Sequence, residues 1–593
     1  MERKDVEQRF KWKIEDIYPS DEAWETEFAA LEKKYGGEDA FKKYQGKLGD
    51  KATLLAYYKD SDEFGRRGEK LWLYAHMASD TDVRVSKYNS YMDKARSLFT
   101  KVGAAMAFVE PELTALTDEQ LDAFIVDPDF SDYEYSLRRV KASKAHVLSE
   151  NEEKILALTG DVFGGFRDVF SMLNNANLNL GKATLNGEET QMSHGLYGVA
   201  LHSENRAERE EWFKKYYQAY INLIDAITKT YYGNVKKGVF YKNVRKFDSC
   251  IEMALDGEDV SPVVYNNLIE AVHGALPTMH RYITVRKQIL GYDEQHMYDI
   301  YAPLVADAEI KLPFDEAYEL VVKGLAPLGE TYQGYLKTGK ADGWIDVCEN
   351  DGKRSGAYST GVYDSHPYVL LNYQPTTNDV FTTAHEMGHA IHTYLSNSAQ
   401  PYAKANYTIF LAEIASTVNE VLLLKYLYNS TQDKNLKKYL LNYYKDMIRA
   451  TLFRQTQFAE FEQKMHEKVE AGEPLTKEIL CDCYYELNKQ YYGDGITHDQ
   501  EIAYEWARIP HFYTAFYVYK YATGITSAIS IVRRILTEGE PAVKDYIEFL
   551  KGGGSTDPVS ILKKAGVDLT QKAPFEAAMQ EFADTLAEFE SLL

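Results

Sequence analysis

The feature that most constrains the fold is a long series of amphipathic segments with helical spacing. From residue 20 to about 175, apolar residues recur at helical intervals, and turn signals such as YGG at 35–37 and DPD at 127–129 separate the segments. Only 16 prolines occur in 593 positions, which leaves room for long uninterrupted helices. We therefore expect a mainly α-helical protein. Because the chain is longer than a single hydrophobic core usually supports, we also expect more than one lobe.

One segment departs from the helical pattern. In residues 177–192, polar and apolar residues alternate on either side of Asn186-Gly187, a dipeptide that tolerates the positive φ of a tight hairpin turn. We expect a small hairpin here, near a lobe boundary. Helical spacing then resumes and continues to about residue 290, and a last amphipathic helix is predicted behind Pro574. The sequence thus predicts an N-terminal helical lobe over residues 1–195 and a second domain over residues 196–593.

Charge and hydropathy exclude some partners. A net charge of -23 disfavours non-specific binding to nucleic acid or to an anionic membrane surface. No window approaches the roughly 20 apolar residues of a membrane span, and the N-terminus has no apolar signal region. The four cysteines are too few and too scattered for a disulfide framework. We expect a soluble cytoplasmic protein with reduced thiols that binds neither nucleic acid nor membrane.

The stretch FTTAHEMGHAIH, residues 381–392, suggests a metal-binding helix. On a helix, His385 and His389 lie one turn apart on one face, where both imidazoles can reach a zinc ion at about 2.0 to 2.1 Å. Glu386 points roughly 100° away, so it is badly placed as a ligand but well placed to accept a proton from a water that the metal activates. The alternative is a core helix with two hydrogen-bonded histidines and a surface glutamate.

A catalytic zinc usually has three protein ligands, so a third is needed. The next apolar segment carries Glu413 and Glu420, seven residues apart and near one helix face. We favour Glu413, which follows His389 by 24 residues, as the ligand; Glu420 would then accept a hydrogen bond from a ligating histidine or remain solvated. Gly388 costs a helix about 1 kcal/mol relative to alanine, which suggests that another backbone or a substrate approaches it closely.

These motifs resemble those of a known family. HEMGHAIH, the following LAEIASTVNE, the preceding KRSGAYSTGVYDSHPYVLLNY and RIPHFYTAFYVYKYATG near 508–524 are similar to the oligoendopeptidase F branch of the thimet oligopeptidase-like zinc metallopeptidases. The resemblance implies two helical lobes flanking a deep channel, one Zn²⁺ per chain and cleavage of short unfolded peptides. It also implies that His385, His389 and Glu413 are the metal ligands, that Glu386 is the catalytic base and that 196–593 is the catalytic domain.

Two further segments are candidates for substrate contact. HPYVLLNY, residues 366–373, is the best strand candidate near the metal helix, where we expect a small β-sheet. Because Pro367 cannot donate to a ladder, we expect the strand to lie at an edge of its sheet or to begin at this residue. An extended peptide could then add itself as a further strand; the alternative is an ordinary core strand. Arg354 could orient the substrate or brace its own loop.

The stretch HFYTAFYVYK begins at His511, and Tyr513, Tyr517 and Tyr521 would share one face of a helix-like run at intervals of four. By the resemblance, His511 and Tyr517, then Tyr513, would donate hydrogen bonds to the oxyanion of peptide hydrolysis. The spacing differs from the thimet-type pattern. The alternative is a tyrosine-lined helix packed inside the lobe.

Taken together, the sequence predicts a zinc-dependent endopeptidase that hydrolyses internal bonds of short oligopeptides. One alternative is a carboxydipeptidase of the angiotensin-converting-enzyme type, because HEMGH with a glutamate 24 residues later also fits that related group. Another is a non-catalytic peptide-binding protein. The flanking EIAST and RIPHFY stretches favour the endopeptidase.

Overall fold

The computed structural model describes residues 1–305, 308 and 310–593, which divide into two compact units. Unit 1 comprises Met1–Val147, Glu309–Tyr426 and Ile531–Val567, and unit 2 comprises Leu148–Ala308, Leu427–Ser530 and Asp568–Leu593. This division follows compactness in space, so each unit combines separate stretches of chain. The domains 1–195 and 196–593 were drawn along the sequence and stay a prediction.

The described residues are mainly helical. In the first half of the chain the helices are α1 (Asp21–Tyr35), α2 (Lys51–Thr81), α3 (Ser86–Ala105), α4 (Val109–Thr114), α5 (Asp118–Ile125), α6 (Glu134–Ser143), α7 (Glu150–Met172), α8 (His194–Leu201), α9 (Arg206–Asn222), α10 (Ile224–Val244), α11 (Cys250–Asp256) and α12 (Pro262–Leu290). In the second half they are α13 (Phe314–Gly324), α14 (Gly329–Ala341), α15 (Thr377–Ala399), α16 (Tyr402–Ala405), α17 (Ile409–Ser430), α18 (Lys434–Ile448), α19 (Arg454–Glu470), α20 (Lys477–Tyr492), α21 (Tyr519–Glu538), α22 (Glu540–Leu550), α23 (Pro558–Lys564) and α24 (Ala573–Ser591).

The local sequence explains where several helices begin. The Ser20 hydroxyl caps α1 by accepting a hydrogen bond from the Ala23 N–H, and Thr117 with Gln120 forms a capping box before α5. Helix α24 begins with Pro574 in its first turn, and its apolar stripe, which includes Phe575 and Phe582, is buried. The predicted terminal helix is therefore confirmed.

The hairpin predicted in residues 177–192 is also present. Strands β1 (Lys182–Leu185) and β2 (Glu188–Gln191) pair antiparallel in unit 2. Asn186 and Gly187 form the turn between them with φ angles of 53° and 80°. Both values are positive, as a two-residue hairpin turn with the right-handed strand twist requires.

A three-stranded sheet in unit 1 lies beside the predicted metal helix. It consists of β3 (Ile345–Asp346), β4 (Tyr358–Thr360) and β5 (Tyr368–Leu370), and both β4 and β5 contact α15. A mainly α-helical fold with a small sheet near this helix is thus confirmed. The strand begins directly after Pro367, which is one of the two expected positions. The other, an edge position, is wrong, because β5 lies in the centre of the sheet, parallel to β3 on one side and antiparallel to β4 on the other. Both edges of β5 are therefore already paired with neighbouring strands and are not open to an added peptide strand.

The buried side chains of β5 join the core of the N-terminal helices. Tyr368 and Leu370 are completely buried in one apolar cluster with residues such as Trp24 and Leu31 of α1. This cluster anchors the sheet, and through it one side of α15, in unit 1. Among the described residues, no helix is both long and apolar enough to cross a bilayer.

Candidate metal centre

Helix α15 begins where the sequence predicts and presents its histidines on one face. The Thr376 hydroxyl oxygen accepts a hydrogen bond from the Asp379 N–H at 3.2 Å and so caps the helix. Apolar residues such as Ala384 and Met387 are fully buried, whereas the side chains of His385 and His389 retain 27% and 18% exposure. The core therefore fixes one side of α15 and leaves the two imidazoles accessible on the other.

Helix α17 runs antiparallel to α15 and touches it at Gly388. A Cβ atom added to Gly388 would lie 2.6 Å from the Cα of Ser416 and 2.7 Å from the carbonyl oxygen of Ala415. No side chain fits this space. The close approach predicted at Gly388 is confirmed, and the neighbour is the backbone of the helix that carries Glu413.

This contact brings three potential ligand atoms together. The Nε2 atoms of His385 and His389 are 3.2 Å apart, and Oε2 of Glu413 lies 3.4 Å and 3.5 Å from them, respectively. Ligands arranged tetrahedrally at 2.0 to 2.1 Å from one ion are separated by about 3.3 Å. The three atoms therefore fit three corners of a tetrahedral zinc site and leave the fourth corner to other ligands.

Glu420 and Asn419 support this arrangement from α17. Oε1 of Glu420 accepts a hydrogen bond from Nδ1 of His385 at 2.6 Å, which leaves the lone pair of Nε2 for a metal. The Asn419 side-chain amide donates to the Ala384 carbonyl at 2.9 Å and accepts from the Tyr332 hydroxyl at 2.9 Å. The contact predicted for Glu420 is confirmed, and Asn419 ties the two ligand-bearing helices in register.

The role of Asn419 was not predicted from the sequence, although a signal was present. This residue is completely buried between Val418 and the apolar run that begins at Val421, where an unpaired amide would be costly. A neutral polar residue on the core side of a ligand helix therefore indicates a structural hydrogen bond. Its partner Tyr332, on α14, lies 87 residues earlier, too far for any local pattern to reveal the pair.

The electrostatics of the centre favour a cation. Burial lowers the pKa of His385, but hydrogen bonds to Glu413 and Glu420 outweigh it and raise that pKa to about 10. Hydrogen bonds from His385 and His389 hold the pKa of Glu413 far below its ordinary value. Carboxylates that stabilise a proton on the imidazoles would also stabilise a divalent ion at the same atoms.

Glu386 lies next to this centre without belonging to the ligand group. Its side chain is largely buried, and burial raises the pKa of the carboxyl, while the nearby His385 and His389 partly oppose that shift. A carboxylate with a raised pKa is a stronger base than a solvated one. This property suits a group that must take up and release a proton.

The predicted helical run from His511 to Tyr521 is wrong. A 3₁₀ turn spans Pro510–Tyr513, Phe516 has a positive φ of 55°, and α21 begins only at Tyr519. The chain makes a turn at Phe516, so the tyrosines do not follow one helix face. They lie in unit 2, whereas the three ligand atoms lie in unit 1.

The same stretch nevertheless forms a cluster of polar rings, His511, Tyr517 and Tyr521. Their ring centroids are 5.6 to 5.8 Å apart, and the Tyr521 hydroxyl lies 3.3 Å from Nε2 of His511. Burial, and then Arg454, lower the pKa of His511, so its imidazole is neutral near pH 7. We call these three residues the ring cluster.

Tyr513 is not part of the ring cluster. Its hydroxyl is hydrogen-bonded to Thr230 at 2.7 Å, its ring stacks on Phe170 at 4.4 Å, and the residue is buried. These contacts favour the alternative in which Tyr513 is packed inside the lobe and has no contact with substrate.

Arg354 lies in unit 1. Its backbone N–H is bonded to the Asp80 carbonyl at 2.9 Å, and its guanidinium lies near the Asp80 carboxylate. These contacts favour a role in bracing its own loop.

The two histidines of HEMGH, together with Glu413 of α17, define a candidate metal centre of the HExxH type. The model of peptidase family M3 matches residues 199–581, well over half of the chain, and an oligopeptidase F model matches residues 112–179. The chain therefore belongs to peptidase family M3, and the resemblance found in the sequence is confirmed.

Individual relatives support this assignment, because their similarity extends over nearly all of this chain. Oligopeptidase PepF of Bacillus subtilis (strain 168) is 44% identical over 595 residues, which cover 100% of this chain and 88% of that protein. In the crystal structure of oligoendopeptidase-F from Enterococcus faecium, the sequence is 35% identical to this one. The match covers 96% of this chain and 99% of that chain, with a TM-score of 0.74. A crystal structure from Chlamydophila abortus, also 35% identical, covers 100% of both chains with a TM-score of 0.94.

Proposed function

We propose that this chain is a zinc-dependent endopeptidase that hydrolyses internal bonds of short oligopeptides. The observation that carries the proposal is the triangle formed by His385 Nε2, His389 Nε2 and Glu413 Oε2, with sides of 3.2 to 3.5 Å. Imidazole and carboxylate donors at this spacing suit Zn²⁺. Bound there, Zn²⁺ would supply a Lewis acid that polarises the scissile carbonyl and acidifies water.

In this proposal Glu386 moves the proton. Its carboxylate takes a proton from the attacking water and delivers it to the nitrogen of the leaving amine. The raised pKa of Glu386 supports this cycle, because a carboxyl that holds its proton more firmly accepts it more readily from water. Glu420 keeps the Nδ1–H tautomer of His385 in place throughout.

The ring cluster supplies hydrogen-bond donors for the oxyanion in the same proposal. His511 and Tyr517 carry an N–H and an O–H, and donors of this kind typically lower the barrier by a few kcal/mol. The sequence resemblance is the ground for this role, and Tyr521, which contacts both residues, is a further candidate. Tyr513 is a weaker candidate, because its hydroxyl is bonded to Thr230.

Short peptides are the proposed substrates because of the relatives' names. The Bacillus subtilis protein is called an oligopeptidase and the Enterococcus faecium protein an oligoendopeptidase. Neither name describes a carboxydipeptidase, and a binding-only protein would have no need of the buried base Glu386. An endopeptidase is therefore the preferred function.

The test uses peptides of graded length that are acetylated at the N-terminus and amidated at the C-terminus. We expect mass spectrometry to find internal cuts in the shorter peptides, a chelator to abolish them and added Zn²⁺ to restore them. Cleavage only of peptides with a free C-terminus, two residues at a time, would instead indicate a carboxydipeptidase. Stoichiometric zinc without any cleavage would indicate a binding protein.

A further inference from the structure

The turn that presents the ring cluster has a backbone conformation that side chains disfavour. Phe516 has a φ of 55°, in the left-handed region that favours glycine, yet its aromatic ring is buried. Directly after it, Tyr517 is half-exposed and contacts His511 and Tyr521. The strained residue thus turns one ring into the core and the next into the ring cluster.

Glu462, on α19, holds this turn through the backbone. The Phe516 N–H donates a hydrogen bond of 2.9 Å to Oε1 of Glu462, whose side chain is completely buried. In the part of the chain that the structure describes, Oε2 of Glu462 has no hydrogen-bond partner. A buried carboxyl is costly unless it is bonded, so the contact with Phe516 is its main compensation.

The surroundings of Glu462 leave the carboxyl uncharged. Burial raises its pKa to about 8, against the smaller opposing effect of the Phe516 N–H, so the protonated form predominates at pH 7. Its acceptor then resembles the carbonyl oxygen of a glutamine side chain. Glutamine at this position should therefore keep the hydrogen bond, whereas an apolar residue of similar size should lose it.

Aromatic packing fixes the other side of the turn. The ring of His466, one helical turn after Glu462, lies 4.7 Å from the Phe516 ring, and the ring of Tyr265 meets it edge-on at 5.8 Å. His466 Nδ1 is bonded to the Glu462 carbonyl at 2.9 Å. These contacts hold the side chain of Phe516, but among the described residues only Glu462 is bonded to its N–H.

We propose that Glu462 is a positioning residue: its hydrogen bond to the Phe516 N–H maintains the strained turn that places Tyr517 beside His511. The inference rests on the proposed function for its effect on turnover, since Glu462 would act only through Tyr517 and His511. It predicts that loss of the acceptor lowers the rate of the chemical step while metal binding is unaffected.

The test compares Glu462→Gln, Glu462→Leu and the control Glu460→Leu. Glu460 is a nearly buried carboxylate on the same helix, but it is bonded to His273 and Tyr491. Hydrogen exchange at the Phe516 amide, kcat, KM and zinc content are measured for each full-length variant. We expect Glu462→Leu to speed the exchange and lower kcat by about tenfold or more, with KM and zinc retained. The glutamine variant should stay close to the wild type.

Several outcomes would overturn the proposal. These are unchanged Phe516 exchange in Glu462→Leu, a glutamine variant that behaves like the leucine variant, or an equal loss of kcat in Glu460→Leu. If Glu462→Leu does not fold, Glu462→Met, which also lacks the acceptor but packs more adaptably, takes its place. If neither folds, altered Phe516 exchange in Glu462→Gln refutes the proposal. A wild type without peptidase activity would refute the proposed function, while the exchange data would still decide the role of Glu462.

Discussion

Replacement of Gly388 by alanine tests the link between helix packing and metal binding. The new Cβ would lie 2.6 Å from Ser416 Cα, and ordinary contact begins at 3.4 Å, so α15 and α17 must separate by about 0.8 Å. Metal–ligand distances vary by only about 0.2 Å in a working site, which is much less than this separation. The arrangement of His385, His389 and Glu413 around one ion would therefore be disturbed. We expect zinc affinity to fall by about 10- to 100-fold, as it does when ligands lose their support.

The stability of the same variant should also fall. Overpacking of this kind costs about 1 to 3 kcal/mol, against which alanine gains about 0.5 to 1 kcal/mol over glycine in a helix. The control is Gly334→Ala in α14, since a Cβ at Gly334 meets nothing within 4 Å. That variant should be unchanged or slightly more stable, with wild-type zinc affinity.

Competition with a chromophoric chelator measures the zinc affinity, and thermal unfolding of the metal-free proteins measures stability. If Gly388→Ala binds zinc as tightly as Gly334→Ala does, the two helices can separate without disturbing the ligands. The argument that close packing at Gly388 sets the geometry of the centre would then be refuted.

Three other experiments, with five substitutions between them, test single roles. Glu386→Gln should keep zinc but lower kcat by about 100-fold or more, as assayed with a quenched fluorescent peptide, because only the proton carrier is lost; loss of zinc would contradict that role. Glu413→Ala should weaken zinc binding in the chelator assay far more than Glu420→Ala, and the opposite order would make Glu420 the ligand. Tyr517→Phe should lower kcat with little change in KM, whereas Tyr513→Phe should leave kcat nearly unchanged; equal rates for both would remove Tyr517 from the oxyanion.

The parts of the centre that depend on helical periodicity were predictable from sequence. The spacing of His385 and His389 sets both on one face, the glycine between them indicated a close helix contact, and the interval of seven residues placed Glu413 and Glu420 on one side of α17. The structure agrees with these geometric expectations. Their roles in catalysis stay predictions.

The errors arose where distant parts of the chain decide local structure. The partners of β5 are strands of two and three residues, too short to show any alternation, so its central position could not be read from Pro367. At the break, the Phe516 N–H donates a hydrogen bond to Glu462, 54 residues earlier. Local spacing around His511 favoured a helix, and a partner so distant in sequence lies outside any local pattern.

The central claim is that His385, His389 and Glu413 hold one zinc ion, and anomalous X-ray diffraction at the zinc edge tests it most directly. The account predicts one peak per chain, about 2.0 to 2.1 Å from both Nε2 atoms and from Glu413 Oε2. It also predicts that the peak is lost in Glu413→Ala. A peak at other residues, or none in protein that cleaves peptides in a chelator-sensitive way, would contradict the account.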